Sequence, residues 1–369
     1  MKISIIGAGP AGSFAAYNLA DKYDVEIFEK KSEIGLPIQC SGLVTETIKS
    51  IDKIFRSKDF ERLVENKIKK VGLFSKNEKC EITLKEPDYV LKRDKFDKWL
   101  VKLAEKKGVK INLNSEFLKF KREKDGLWIF VKHKNKIKKI KTDILIGADG
   151  PFSKVSNQLG NSREFIQCIQ ADIKYKGDKG KMDIFFSEKY KELFAWIVPK
   201  TPEVAEIGLG CKYNTAKKFR EFLKQQKIRS KILKYTGGCI SLYNHKQKNS
   251  DKNVFLVGEA TSFVKASTLG GIISSLKSSK ILANTIKNNK NYEKMLWKLK
   301  KEMMIHYMAR KILNKFNDSD YDYLLTICKN NRLKKIFSEH SRDEYSKKVF
   351  ALKALLIQPK LTKFLLKLK

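Results

Sequence analysis

Close cysteine pairs are missing from this chain. The six cysteines, Cys40, Cys80, Cys168, Cys211, Cys239 and Cys328, are scattered along 369 residues and never form C-x-x-C. That pattern argues against a zinc knuckle or a disulfide framework and fits reduced thiols. Histidine is also scarce, at four dispersed positions, so no metal site is expected. No apolar run reaches the roughly eighteen residues that a membrane span needs. The opening residues carry no signal-peptide pattern, and a cytoplasmic location is expected. Acid is the other shortage: 41 Asp and Glu stand against 78 Lys and Arg, a net charge of +37. Such a field draws anions of every kind, although lysine-rich bias over solvated helix faces gives the same balance. With no zinc-knuckle, RNP-type or recognition-helix pattern, no specific nucleic-acid partner is expected. What remains, 42% hydrophobic and 11% aromatic, is a globular composition with length for two or three subdomains.

The most informative stretch is the first thirty residues. Lys2-Ile3-Ser4-Ile5-Ile6 reads as a strand and breaks into Gly7-Ala8-Gly9-Pro10-Ala11-Gly12. A helix follows through Ala20, then a strand from Asp24 to Phe28 that ends at Glu29. Gly7 permits the tight turn, Gly9 lets the backbone approach a pyrophosphate, and Gly12 lets the helix pack close to the strand. Helix N-terminal N–H groups then face phosphate, and Glu29 stands where an acid accepts the hydroxyls of an adenosine ribose. Strand, glycine turn, helix and acid in this order predict dinucleotide binding.

Further along, 30–44 reads as a loop, 59–69 as a helix, and 71–74 and 81–84 as strands. Arg93–Lys106 is an amphipathic helix with Phe96, Leu100, Leu103 and Ala104 on one face. A strand is expected at 109–113, hairpin arms at 128–131 and 137–140, and an apolar strand at 143–147 running into Ala148-Asp149-Gly150. From about 163 to 243, strand-like runs at 166–175, 182–186, 194–198 and 205–211, with a helix at 215–226, predict an inserted antiparallel sheet. The parallel signature returns at 253–257, followed by Gly258-Glu259-Ala260 and a long helix over 271–287. Beyond Asn291 the chain reads as helical to its end.

Three glycine-acid segments, Gly7–Gly12 with Glu29, Gly147–Gly150, and Gly258-Glu259 with Gly270-Gly271, each follow an apolar strand. Strand C-terminal ends of an open α/β sheet meet at one crevice, so all three suit one extended ligand. A nicotinamide fold needs only the first. The set resembles the flavin-binding fold of the para-hydroxybenzoate hydroxylase type and, within it, the geranylgeranyl reductase group, including its digeranylgeranylglycerophospholipid reductase-like members. The strings that carry the likeness are Pro37–Leu43 with Cys40 and Gly42, Arg93–Leu100, Gly147–Ser153, Lys191–Pro199 and Gly258–Ile272, so that it spans roughly 1–290.

The resemblance implies an α/β protein. A Rossmann-like FAD-binding domain would be discontinuous (1–75, 90–160 and 250–290), with an inserted antiparallel substrate domain (76–89 and 161–249) and a C-terminal helical region (291–369). It implies FAD held by Gly7, Gly9, Ala11, Gly12, Glu29, Lys30, Cys40, Gly42, Arg93, Asp149, Gly150, Gly258, Glu259, Gly270, Gly271 and Ile272. Phe194, Trp196 and Pro199 would line a cavity for an isoprenoid lipid. The electron donor would be NAD(P)H, bound transiently, or a ferredoxin. This chain departs from the family pattern at Glu259 (commonly Asp), Thr261-Ser262 (commonly Ala-Gly), Leu269, Phe194 (commonly Tyr) and Lys191 (commonly Pro).

The implied reaction saturates isoprenoid double bonds in archaeal-type lipid precursors. Cys40 is the catalytic candidate, as proton donor or flavin-orienting residue, against a reading as a small buried filler. For Phe194 and Trp196 the alternative to cavity lining is ordinary sheet core. Two other activities share the cofactor pattern: a monooxygenase acting on an aromatic or quinone-like substrate, and an electron-transfer flavoprotein reducing a quinone. At the C-terminus, Leu361, Phe364, Leu365 and Leu368 share a helical face, with Lys360, Lys363 and Lys367 on another. A helix of that kind suits an anionic membrane surface or a dock on its own domain.

Overall fold

In the computed structural model, which describes residues 1–343, 357, 359–365 and 367, the apolar run Lys2–Ile6 is the third-from-edge strand of a six-stranded sheet. The order is Ser250–Asp251, Val254–Leu256, Ile144–Gly147, Lys2–Ile6, Asp24–Phe28, Lys110–Asn112, and every pairing but the first is parallel. Parallel strands covered on both faces need apolar side chains on both sides, which these short runs supply. One face, with Ile3, Ile5, Val25 and Ile27, packs on Ala15, Ala16 and Leu19 of the Pro10–Leu19 helix, on Val101 and Ala104 of the Arg93–Glu105 helix, and on Leu282 of the Ile272–Lys287 helix. The other, with Ile6, Phe28, Leu145 and Leu256, packs on Phe117, Leu127 and Ile129. These belong to a three-stranded antiparallel layer of Ser115–Glu123, Gly126–His133 and Lys136–Thr142.

A second, eight-stranded sheet runs Ile232–Ser241, Phe165–Lys174, Val204–Cys211, Ala195–Pro199, Lys181–Phe185, Val64–Phe74, Lys79–Leu91, Leu43–Val44. It is antiparallel except where Lys181–Phe185 pairs parallel with Val64–Phe74. The Thr215–Gln225 helix closes one face with Phe219 and Phe222 on Ala171, Ile173, Ile207 and Leu209. Helices Trp297–Leu313, Asp318–Cys328 and Asn331–Glu339 follow, the second opened by an Asn317/Asp320 capping box.

The expected helix over 59–69 shrinks to Lys58–Glu61, and Val64–Phe74 is a strand of the larger sheet. Its exposed Glu65, Lys67 and Lys69 alternate with partly or fully buried Val64, Asn66 and Ile68, and pairing with a neighbour overrides the local helix propensity of Glu and Lys. Strands at 115–123 and 232–241 go beyond the expected set. The helical expectation beyond Asn291 falls partly on residues outside those described. Among the described residues no helix is long and apolar enough to cross a membrane. In the terminal stretch, Phe364 is buried, its ring 4.6 Å from that of Phe316 and 5.9 Å from Tyr323, and Lys367 pairs with Asp320 at 2.6 Å. Phe364 is therefore taken up by the protein's own helices, while Leu368 lies outside the described residues.

Candidate functional site at the strand ends

The three glycine-acid segments meet at the C-terminal ends of neighbouring parallel strands. Gly7 holds φ at +101°, and a Cβ there would lie 2.5 Å from Ala148 O. A Cβ on Gly12 would overlap the Gly7 carbonyl oxygen, so the first helix turn and the strand end touch backbone to backbone. Gly258, at φ +67°, abuts Ala11, where an added Cβ would come within 2.5 Å of the alanine Cβ. Beside Gly9 and Gly150, by contrast, an added Cβ would meet nothing within 4 Å. No side chain caps the Pro10–Leu19 helix at Gly9 or the Ile272–Lys287 helix at Gly271, so their first N–H groups stay available to a ligand.

The acids stand around this cradle. The Glu29 carboxylate accepts the Ala8 N–H at 2.8 Å and the Lys31 N–H at 3.0 Å, which holds it against the glycine turn. Asp149 Oδ2 accepts the Lys154 N–H at 2.7 Å, and its Oδ1 is buried without a partner among the described residues. Burial pushes the Asp149 carboxyl above its ordinary range, against the hydrogen bonds it accepts. Glu259 Oε1 accepts the Ser241 N–H at 2.9 Å. Burial raises its carboxyl to about 7, with the Ser241 bonds and the charges of Arg163 and Arg93 opposing.

The 37–42 loop reaches this edge from the side. Gln39 Nε2 donates to Gly237 O at 2.7 Å, and Cys40 Sγ accepts the Gly42 N–H at 3.4 Å. Arg93 forms a fork to Asp97, with both N···O distances 3.0 Å. Although burial pulls its guanidinium down, Asp97 and Cys40 beside it hold it firmly protonated. Cys40 and Cys239 are half-buried while the other four cysteines are buried. Cys168 is driven up to about 12, chiefly by burial and further by Cys239, Cys211, Glu259 and Cys40 around it. The fold thus gathers thiols that are far apart in sequence. Among the described residues no group of His, Cys, Asp and Glu is placed to hold a metal ion.

Phe194 and Trp196, at the larger sheet, are both half-buried, and Phe194 also meets Phe186, which stacks on Tyr321. Phe194 and Trp196 meet edge to face with centroids 6.1 Å apart, and both pack, as Ile240 and Leu269 do, against the buried cluster of Ile166, Cys168 and Leu193. Leu269 precedes Gly270-Gly271 and ties this cluster to the third cofactor-type segment. A Cβ on Gly208 would overlap the Trp196 indole, so the glycine is what lets the ring lie down. Pro199 is buried at the far end of the same strand, its carbonyl accepting from Asn66 Nδ2 at 2.9 Å.

Thr261 and Ser262 are buried and tied back into the protein. Thr261 Oγ1 accepts the Phe263 N–H, and Ser262 Oγ accepts the Asn244 N–H at 3.1 Å. Ser262 holds φ at +56°. Several residues here carry no sequence signal. Arg163 donates to Ser153 O at 2.9 Å and, more weakly, to Gly150 O. Buried Glu206 lies under Trp196, accepting its indole N–H at 3.3 Å, with Lys200 2.9 Å from its second oxygen. Arg310 donates to Ala266 O and Ser267 O, both at 2.9 Å, and His306 meets the Ser267 hydroxyl at 2.6 Å. These last contacts hold the strap that leads into Gly270-Gly271.

A family model described as FAD binding domain matches residues 1–197. Digeranylgeranylglycerophospholipid reductase 2 of Methanosphaera stadtmanae is 31% identical over 299 residues, covering 75% of each chain. Digeranylgeranylglycerophospholipid reductase 3 of the same organism is 29% identical over 369 residues, covering 90% of this chain and 92% of the relative. In fold, the chain is similar to the crystal structure of a geranylgeranyl bacteriochlorophyll reductase-like protein from Thermoplasma acidophilum, with a TM-score of 0.85 at 23% identity over 100% of this chain and 99% of the other. It is also similar to a flavin-dependent halogenase, with a TM-score of 0.72 at 16% identity over 98% of this chain and 78% of the other.

Proposed function

This chain belongs to the geranylgeranyl reductase family of FAD-binding proteins, and from that premise we propose that it reduces double bonds of isoprenoid chains in archaeal-type lipid precursors. The observation that carries this reading is the pairing of an FAD-type cradle with an apolar, aromatic sheet face, joined through Leu269. The residues present suit the cofactor. Bare space beside Gly9 and Gly150 fits a closely approaching pyrophosphate, and the unpartnered Asp149 Oδ1 fits a hydroxyl donor. Gly7, Ala11, Gly12, Glu29 and Lys30 would hold the adenosine half. Gly258 and Glu259 would hold the ribityl chain, and Gly270, Gly271 and Ile272 would turn a helix N-terminus to the ring.

FAD supplies the redox chemistry when bound and reduced, from NAD(P)H or a ferredoxin. Phe194 and Trp196 position the alkene and keep water from it, with Pro199 at the end of that wall. Cys40 holds the proton for the second alkene carbon at Sγ. Its partial exposure and its place beside Arg93 support that role over a buried filler. Gly42 holds its loop close to Leu91, whose carbonyl oxygen an added Cβ would meet at 2.4 Å, with Arg93 Cγ beyond it at 3.2 Å.

The test is anaerobic. Purified protein is reduced with dithionite and given geranylgeranylated glycerophospholipid, and the lipid is read by mass spectrometry. Gains of one H2 per saturated bond are expected. Bound flavin with no mass change overturns the reading, and oxygen consumption with an aromatic substrate would then favour a monooxygenase. Cys40→Ala is expected to keep its flavin and lose about a hundredfold in turnover, and unchanged turnover removes Cys40 from the chemistry.

A further inference from the structure

The Trp297–Leu313 helix is apolar on two faces. Its inner face buries Leu299, Met303, His306 and Arg310 against the body of the protein. Its outer face leaves Trp297 55%, Ile305 36% and Met308 37% exposed, with Met295 of the preceding turn at 39%. At 100° per residue, Trp297, Lys301, Ile305 and Met308 fall within one quadrant of the helix. A surface helix needs only its inward stripe to fold, so a second apolar stripe calls for a partner.

The charge around the stripe has one sign. Lys294, Lys298, Lys301 and Lys311 are exposed along it. The two acids of this stretch are committed elsewhere: Glu293 pairs with Lys300, and Glu302 with Lys277 at 3.1 Å. Lys301 lies over the Trp297 ring at 5.5 Å. We propose that this face is the surface by which the protein lies on an anionic lipid bilayer, with Trp297, Ile305 and Met308 in the interface and the lysines reaching to the headgroups. Trp with aliphatic residues, flanked by flexible lysines, is the composition of an in-plane interfacial helix. The core of a protein interface would be depleted of lysine.

The lipid substrate proposed above gives this contact its purpose, because the inner face of the same helix grips Ala266 and Ser267, next to the Leu269–Gly271 strap. The membrane expectation thereby moves from the terminal stretch, whose Phe364 is buried, to this helix.

The experiment uses the full-length, FAD-loaded protein and vesicles of phosphatidylcholine with about a third phosphatidylglycerol, against vesicles of phosphatidylcholine alone. Binding to the anionic vesicles that falls with salt is expected. The doubles W297S/I305S and K298E/K301E are each expected to weaken it at least about tenfold. Brominated lipid should quench the wild-type tryptophan signal more than that of Trp297→Phe. Unchanged binding in both doubles, or equal and salt-insensitive binding to both vesicle types, overturns the proposal. Flavin content and reduction of detergent-dispersed lipid are read on the same samples. Vesicle binding lost in the doubles with both of these normal supports the surface. Wild-type vesicle binding without any alkene reduction removes the reductase reading and leaves the surface in place.

Discussion

Glycine does different work in the two sheets. At the ends of the parallel strands it is demanded by the backbone: Gly7 sits at positive φ against Ala148, and Gly12 touches the Gly7 carbonyl. In the larger sheet, Gly208 sits in ordinary strand pairing opposite Trp196, and its lack of a side chain is floor space for the indole. The first kind is read from spacing, because turn, helix and acid follow in fixed order. The second is invisible until strands far apart in sequence are aligned. A glycine that shapes the backbone should therefore be intolerant of any side chain, while one that makes room should tolerate a methyl at a graded cost.

The sharpest way to break this contrast is Gly12→Ala. Its Cβ would collide with backbone that has nowhere to go, and a loss of more than about 4 kcal/mol with loss of bound flavin is expected. Flavin absorbance after gel filtration and Tm check it, and a stable, yellow protein would abolish the distinction.

Next comes the bridge between the two sheets, Glu259 to Ser241. Its carboxyl is raised from 4.5 to about 7 in the folded protein, so the folded state binds the extra proton. The stability this confers is fully present below about pH 4.5 and is lost as pH rises through 7, on the order of 3 kcal/mol at most. Flavin-free Glu259→Gln should show a flatter Tm profile between those values, and an identical profile would put the titration elsewhere.

Gly208→Ala should cost about 2 kcal/mol as the Trp196 ring shifts, with flavin retained and lipid turnover reduced. Loss of flavin instead would mean that the aromatic face also supports the cofactor. The smallest expected effect is Trp297→Ala, within about 0.5 kcal/mol of wild type in Tm, because its exposed side chain carries little of the fold.

Legibility follows the same division. The strands at 2–6, 24–28 and 144–147, the Arg93–Glu105 helix and the order of the glycine-acid segments could be read because each is set by a local pattern. The stretch 59–69 could not. Its lysines and glutamates favour a helix locally, and only pairing with Lys79–Leu91 makes the part from Val64 onward a strand. Arg163, Ser241 and Glu206 were equally silent, since each acts on a partner whose sequence separation carries no periodicity. Among the candidate residues, Phe194 and Trp196 do pair, while Pro199 lies at the other end of the strand.

By itself, then, the sequence determined the dinucleotide-type turn, the alternation of strand and helix around it, the strongly basic surface and the family. Each of these is a matter of which residues stand within a few turns of one another. The tertiary structure alone decided which thiols gather around Cys168, that Leu269 packs on the same cluster as Trp196, and that Phe364 turns inward while Trp297 turns out. The physical reason is that burial and strand pairing are properties of the assembled chain: an amphipathic pattern says that a face needs covering, and only packing says by what.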